Sequence, residues 1–132
     1  MTMRATATLG IKSWEEAPFH EIAGGPNLVR ASVRQTYEGE IAGEGTLEYL
    51  MIYQANGFVP TLALERVVAR IGDRSGSFVI RHTGSYADNA AQSTFEIVPG
   101  NATGDLQGIT GSGTMHWPHE QPGTFTLDYD LA

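Results

Sequence analysis

The chain has 132 residues and no cysteine, which excludes disulfides, thiolate metal sites and cysteine nucleophiles. Its hydrophobic content of 41% and charged content of 17% are those of one globular domain spanning residues 1–132. A net charge of −7, with the arginines spread singly, argues against nucleic acid and against an anionic membrane surface as partners.

No stretch approaches the ~20 apolar residues of a membrane span. No early segment joins a basic start to an apolar run, so the expected location is cytoplasmic. In chain order, Ala5, Ala7, Leu9 and Ile11 alternate with polar neighbours, the period of a strand with one buried face. Trp14 to Ile22 contains Pro18 and runs into Gly24-Gly25-Pro26, and reads as a loop with at most one turn. Val29, Ala31, Val33 and Tyr37 then alternate with Arg30, Ser32, Arg34 and Thr36. The same period returns at Phe78, Ile80, His82 and Tyr86, and again at Phe125, Leu127 and Tyr129. Turn residues punctuate these runs at Gly39-Glu40, Asn56-Gly57, Gly72 to Ser75, Asp88-Asn89 and Gln121-Pro122-Gly123. About eight strands at this spacing predict an all-β domain, a single antiparallel barrel.

Turn lengths set the expected registers. Closing the first hairpin at Gly39-Glu40 puts Ala31 opposite Glu48. A two-residue loop at Asn56-Gly57 puts Glu48 opposite Glu65. A four-residue loop from Gly72 to Ser75 puts Glu65 opposite His82, and Asp88-Asn89 puts His82 opposite Phe95. One face then collects Val29, Ala31, Val33, Leu50, Ile52, Ala63, Val67, Phe78, Ile80, Phe95 and Ile97. The other collects Arg30, Arg34, Arg66, Arg70, Arg81 and Glu96.

On this reading Glu48, Glu65 and His82 form a row on the apolar face. Two carboxylates at such spacing cannot both ionise cheaply, so one holds a proton or His82 carries the compensating charge. That makes Glu65, Glu48 and His82 the candidate acid–base residues. Tyr37, Leu50, Phe78, Ile80, Tyr86, Phe95, Tyr129 and Trp14 are the candidate ligand-lining residues. The same registers leave Leu47, Tyr49, Met51, Leu62 and Leu64 outside, a patch that predicts a homo-oligomer. No metal site is expected: His116 and His119 lack a helical spacing and a supporting carboxylate or thiolate cluster. Gly104 to Gly113 lacks the following helix and lysine of a phosphate loop, and reads as a barrel corner. Ser75, Ser77 and Ser93 lack a nucleophile-elbow motif.

Leu64-Glu65-Arg66-Val67, Arg74-Ser75-Gly76-Ser77-Phe78-Val79-Ile80, His82-Thr83-Gly84, Thr103 to Ile109 and Thr126-Leu127-Asp128-Tyr129 resemble, in the same order, a family of small bacterial proteins of unknown function. That family resembles a branch of the allene oxide cyclase barrel superfamily, in the calycin-like style. Gly104-Asp105-Leu106-Gln107-Gly108-Ile109-Thr110-Gly111 is similar to a glycine-rich turn of plant allene oxide cyclases and dirigent proteins. The resemblance implies an eight-stranded barrel with a central cavity for an apolar molecule. It carries over no catalytic residue. The expected function is binding of an apolar small molecule with cofactor-free isomerisation or cyclisation, and the alternative is a non-catalytic carrier on the same barrel.

Overall fold

The computed structural model describes residues 2–131. None of them lies in a helix, so no helix is long and apolar enough to cross a membrane. The strands are β1 (Met3–His20), β2 (Asn27–Gly39), β3 (Ile41–Tyr53), β4 (Val59–Ile71), β5 (Arg74–Ala87), β6 (Ala90–Ile97), the short β7 (Thr103–Gly104), β8 (Thr110–Pro118) and β9 (Gly123–Asp130). All pairings are antiparallel, in the order β4-β3-β2-β1-β9-β8-β6-β5, and β4 pairs with β5 to close the ring. The result is a closed eight-stranded barrel, with β7 a two-residue clip on β5.

Alternation decides what fills it. Ala5, Ala7 and Leu9 of β1, Phe78 and Ile80 of β5, Phe95 and Ile97 of β6, and Phe125 and Leu127 of β9 point inward and are buried. Small inward positions make room for large ones. A Cβ on Gly113 would run into the Phe95 ring, so glycine there lets Phe95 stack on Phe125, centroids 4.5 Å apart. Tyr37 meets Phe125 edge-on at 4.9 Å.

The two ends differ. At one end the β6–β8 connection folds across the opening. Asp105 N bonds to Ser75 O (2.8 Å), and Leu106 and Ile109 enter the core at 0% and 1% exposure. At the other end β1 outruns its neighbour. β9 stops pairing at Gly123 opposite Leu9, while β1 continues along β2 as far as His20 opposite Leu28. Trp14 to His20 is therefore strand and not the expected loop. This stretch has a partner on one side only, the kind of edge position in a sheet that accepts a proline such as Pro18. Register shifts between Ile11 and Ser13 and between Pro18 and His20 absorb the extra residues.

Two expected registers were off by one residue. Ala31 pairs with Tyr49, not Glu48, and Glu48 pairs with Leu64, not Glu65. The cause is visible in the loops. Asn56 has no positive φ, and its side chain instead accepts a bond from Phe58 N, so a longer loop replaces the two-residue turn. The slips have opposite sense. β2 and β4 keep their faces, and β3 alone inverts. Leu47, Tyr49 and Met51 point inward, which removes them from the expected oligomer face, while Glu48 and Leu50 point outward. Leu62, Leu64 and Val68 face outward, where Leu50 lies directly opposite Leu62. The β4–β5 turn has two residues, since Ile71 pairs with Arg74. That two-residue difference from the expected loop changes no face.

Candidate functional site

The site begins with a carboxylate that the barrel surrounds. Glu65 on β4 is 1% exposed. Its Oε2 accepts bonds from Tyr37 OH (2.6 Å) and Gln35 Nε2 (2.9 Å), both on β2. Its Oε1 lies 2.7 Å from His82 Nε2 on β5. Glu65 is not directly opposite His82. It pairs with Ile80, and His82 pairs with Ala63. The two side chains meet diagonally across the strand pair, a geometry long side chains reach. On its far side His82 Nδ1 lies 3.2 Å from Ser93 Oγ on β6, and Phe95 packs against the ring. Gln35 Nε2 also donates to Tyr37 OH (3.2 Å).

Gln35, Tyr37, Glu65, His82 and Ser93 thus form one hydrogen-bonded set inside an apolar barrel. Among the described residues no buried side-chain nitrogen or oxygen lacks a partner. Burial and then the Glu65 charge push the Tyr37 hydroxyl well above its ordinary pKa, so it remains a proton donor. Burial and the same charge raise Tyr49. The carboxylate needs floor space as well. A Cβ on Gly45 of β3 would overlap Glu65 Oε2, so the glycine is what admits the carboxylate.

Above this set lies a cavity of about 340 Å³. Gln35 and Ser93 form part of its floor, and Val33, Tyr49, Met51 and Val59 its apolar wall. Trp14, Tyr53, Tyr86 and Trp117 surround its mouth at the open end of the barrel. Glu16 holds two of these aromatics. It accepts from Trp14 Nε1 (3.0 Å) and from Tyr53 OH (3.1 Å). Trp14 in turn leans on Tyr49, with centroids 5.9 Å apart.

The sequence-predicted residues separate accordingly. Glu65, His82 and Tyr37 come together in the buried set. Trp14 and Tyr86 line the cavity. Glu48 does not join the row. It sits on the outer surface against Arg30 (3.2 Å) and Ser32 (2.9 Å), whose bonds hold its carboxyl below the usual range. Leu50 is also outside, for the same inverted strand. Phe78, Ile80, Phe95 and Tyr129 pack in the core and do not line the cavity. Gln35 was not among the predicted site residues, and Ser93 was weighed there only as a nucleophile. Their signal was present: each is a polar residue at an inward position of an apolar alternation, Val33-x-Gln35-x-Tyr37 and Ser93-x-Phe95-x-Ile97. Among the described residues no three His, Asp or Glu side chains gather as a metal site.

Fold and site together define a closed β-barrel with one plugged end and one pocketed end, floored by a buried carboxylate–imidazole pair. The chain belongs to the DUF3224 family of proteins of unknown function, whose family model matches residues 5–129. No curated protein matches it. Its fold is similar to the crystal structure of a DUF3224 protein of unknown function from Shewanella oneidensis MR-1. That likeness has a TM-score of 0.81 and 24% sequence identity, and covers 100% of this chain and 99% of the other. The glycine-rich stretch from Gly104 to Gly111, which carried the similarity to plant allene oxide cyclases, lies at the plugged end and lends the pocket no residue.

Proposed function

We propose that the protein binds a small, largely apolar molecule in the pocket at the open end of its barrel. The observation that carries this reading is the pairing of an aromatic-rimmed cavity with a floor that includes the buried, hydrogen-bonded Gln35 and Ser93. Protein interiors pack densely, and a barrel of eight strands can be filled by its own side chains. This one is filled below His82 and left open above it. The cavity volume is within the ~300–1,000 Å³ range of small-molecule sites, and a few fixed polar groups in an apolar wall are what such sites use for orientation.

A neutral apolar dye such as Nile red, titrated against the protein, should bind saturably with a blue-shifted emission. Ala91→Trp, which adds an indole at the cavity wall, should abolish uptake while the variant still unfolds cooperatively. Absence of uptake by the native protein, or unchanged uptake by the folded variant, removes this reading.

A second reading, cofactor-free isomerisation or cyclisation, is favoured by one feature. Ser93 Oγ touches both the cavity and His82 Nδ1, and Glu65 lies behind His82. A proton leaving a bound ligand would be taken up by Ser93 as the serine passes its own to His82. The imidazolium then faces the Glu65 carboxylate, and the same proton returned to another ligand atom completes an isomerisation with no net gain or loss. Glu65 here is a charge-stabilising group that does not touch the ligand. Glu65→Gln would separate the readings, because it should stop turnover and leave dye uptake in place.

A further inference from the structure

We propose that the pocket's occupant carries a hydrogen-bond donor, a hydroxyl or N–H, on the end it inserts, and that anionic head groups are rejected. This deepens the pocket-binding reading and rests on it. Glu65 Oε2 accepts from Tyr37 OH at 2.6 Å. A carboxylate has nothing to donate, so Gln35 must present its NH2 group to it. That nitrogen faces Glu65 Oε2 and Tyr37 OH together, two acceptors set close enough to share one of its hydrogens. The Gln35 amide is thereby fixed in one orientation, with its carbonyl oxygen turned away from the set. No buried side-chain oxygen in the described residues lacks a partner, so this carbonyl is reached from the cavity that Gln35 lines.

The second polar group on the floor is Ser93. Its Oγ lies 3.2 Å from His82 Nδ1, and a hydroxyl oxygen with two lone pairs keeps one for the cavity whichever of the two donates. The floor therefore presents one acceptor on β2 and another on β6, and a ligand satisfies either by bringing a donor. A carboxylate or phosphate would meet these acceptors with more lone pairs, with Glu65 directly behind Gln35. It would also pass Glu120 at the cavity edge and Glu16 at the rim, in a chain whose net charge is −7.

Three probes with one apolar skeleton test this at pH 7: 2-naphthol, 2-methoxynaphthalene and 2-naphthoate, followed by isothermal titration. The naphthol should bind about tenfold or more tightly than the methyl ether, since a site built for a donor strongly rejects an analogue without one. The naphthoate should bind more weakly still. Gln35→Met removes the carbonyl at similar volume. It should bring the naphthol down to the level of the ether and leave the ether unchanged. Ser93→Ala, a smaller change, should narrow the same gap and so covers a Gln35→Met variant that does not fold. Equal binding of naphthol and ether by the native protein, or tightest binding of the naphthoate, overturns the proposal while pocket binding stands. Failure of all three probes together with Nile red overturns the pocket reading itself.

Discussion

The residue on which the buried site depends most closely is one with no side chain. Gly45 lies opposite Gln35 and Val67, and the space where its Cβ would stand holds Glu65 Oε2. Alanine there would force the carboxylate away from Gln35 and Tyr37, leaving buried donors without their acceptor. Each such group costs roughly 1–3 kcal/mol. Gly45→Ala should therefore lower unfolding free energy by at least about 2 kcal/mol, read from urea midpoints, a large effect for one methyl group on a strand that ordinarily favours alanine over glycine. The tyrosine of the same set adds a pH limit. The folded pKa of Tyr37 is raised, so the unfolded chain releases this proton at lower pH than the folded one. Its contribution is complete below pH ~10 and is lost as pH rises from there toward the folded value, at up to about 1.4 kcal/mol per pH unit. Native stability should fall steeply above pH 10, and Tyr37→Phe should flatten that limb while lowering stability at neutral pH.

At the scale of the strand, the sequence showed the barrel clearly and one of its eight staves backwards. Period-two alternation is written by burial itself, so β2, β5, β6 and β9 could be read with their faces. The Asp88-Asn89 turn was legible because both residues take the positive φ of a two-residue hairpin, 52° and 61°. β3 was not, because its two faces are almost equally apolar. Leu47, Tyr49 and Met51 fill the inside, while Leu50 and Ile52 follow Glu48 on the outer face. With no contrast between faces, orientation rested on the flanking turns, and each turn was misjudged by one residue. Glu65 and His82 were found because β4 and β5 keep strong contrast. Glu48 was misplaced because β3 does not. The strand extension from Trp14 to His20 is illegible for a related reason. It has one neighbour and is exposed throughout, so burial wrote no alternation into it.

For the whole molecule, the plug and the pocket sit at opposite ends of the barrel. Four cross-strand ion pairs, Arg4–Asp128, Lys12–Glu44, Arg30–Glu48 and Arg81–Glu96, are solvent-exposed, and pairs of that kind contribute little. What holds the ring closed is the filled half, where Leu106 and Ile109 from the β6–β8 connection pack among Ile41, Val67 and Phe78. The pocketed half has its own apolar cluster of Val29, Ala31, Val33, Leu47, Met51 and Val59. Leu106→Ala should thus cost roughly 2–5 kcal/mol, the usual price of a fully buried leucine in a core that cannot collapse around the gap. Its urea midpoint should drop accordingly. Nile red affinity, measured well below that midpoint, should stay within about twofold of native, because no pocket wall touches Leu106. A parallel loss of dye affinity would show that plug and pocket are one cooperative unit, and that the open end keeps its shape only while the closed end is intact.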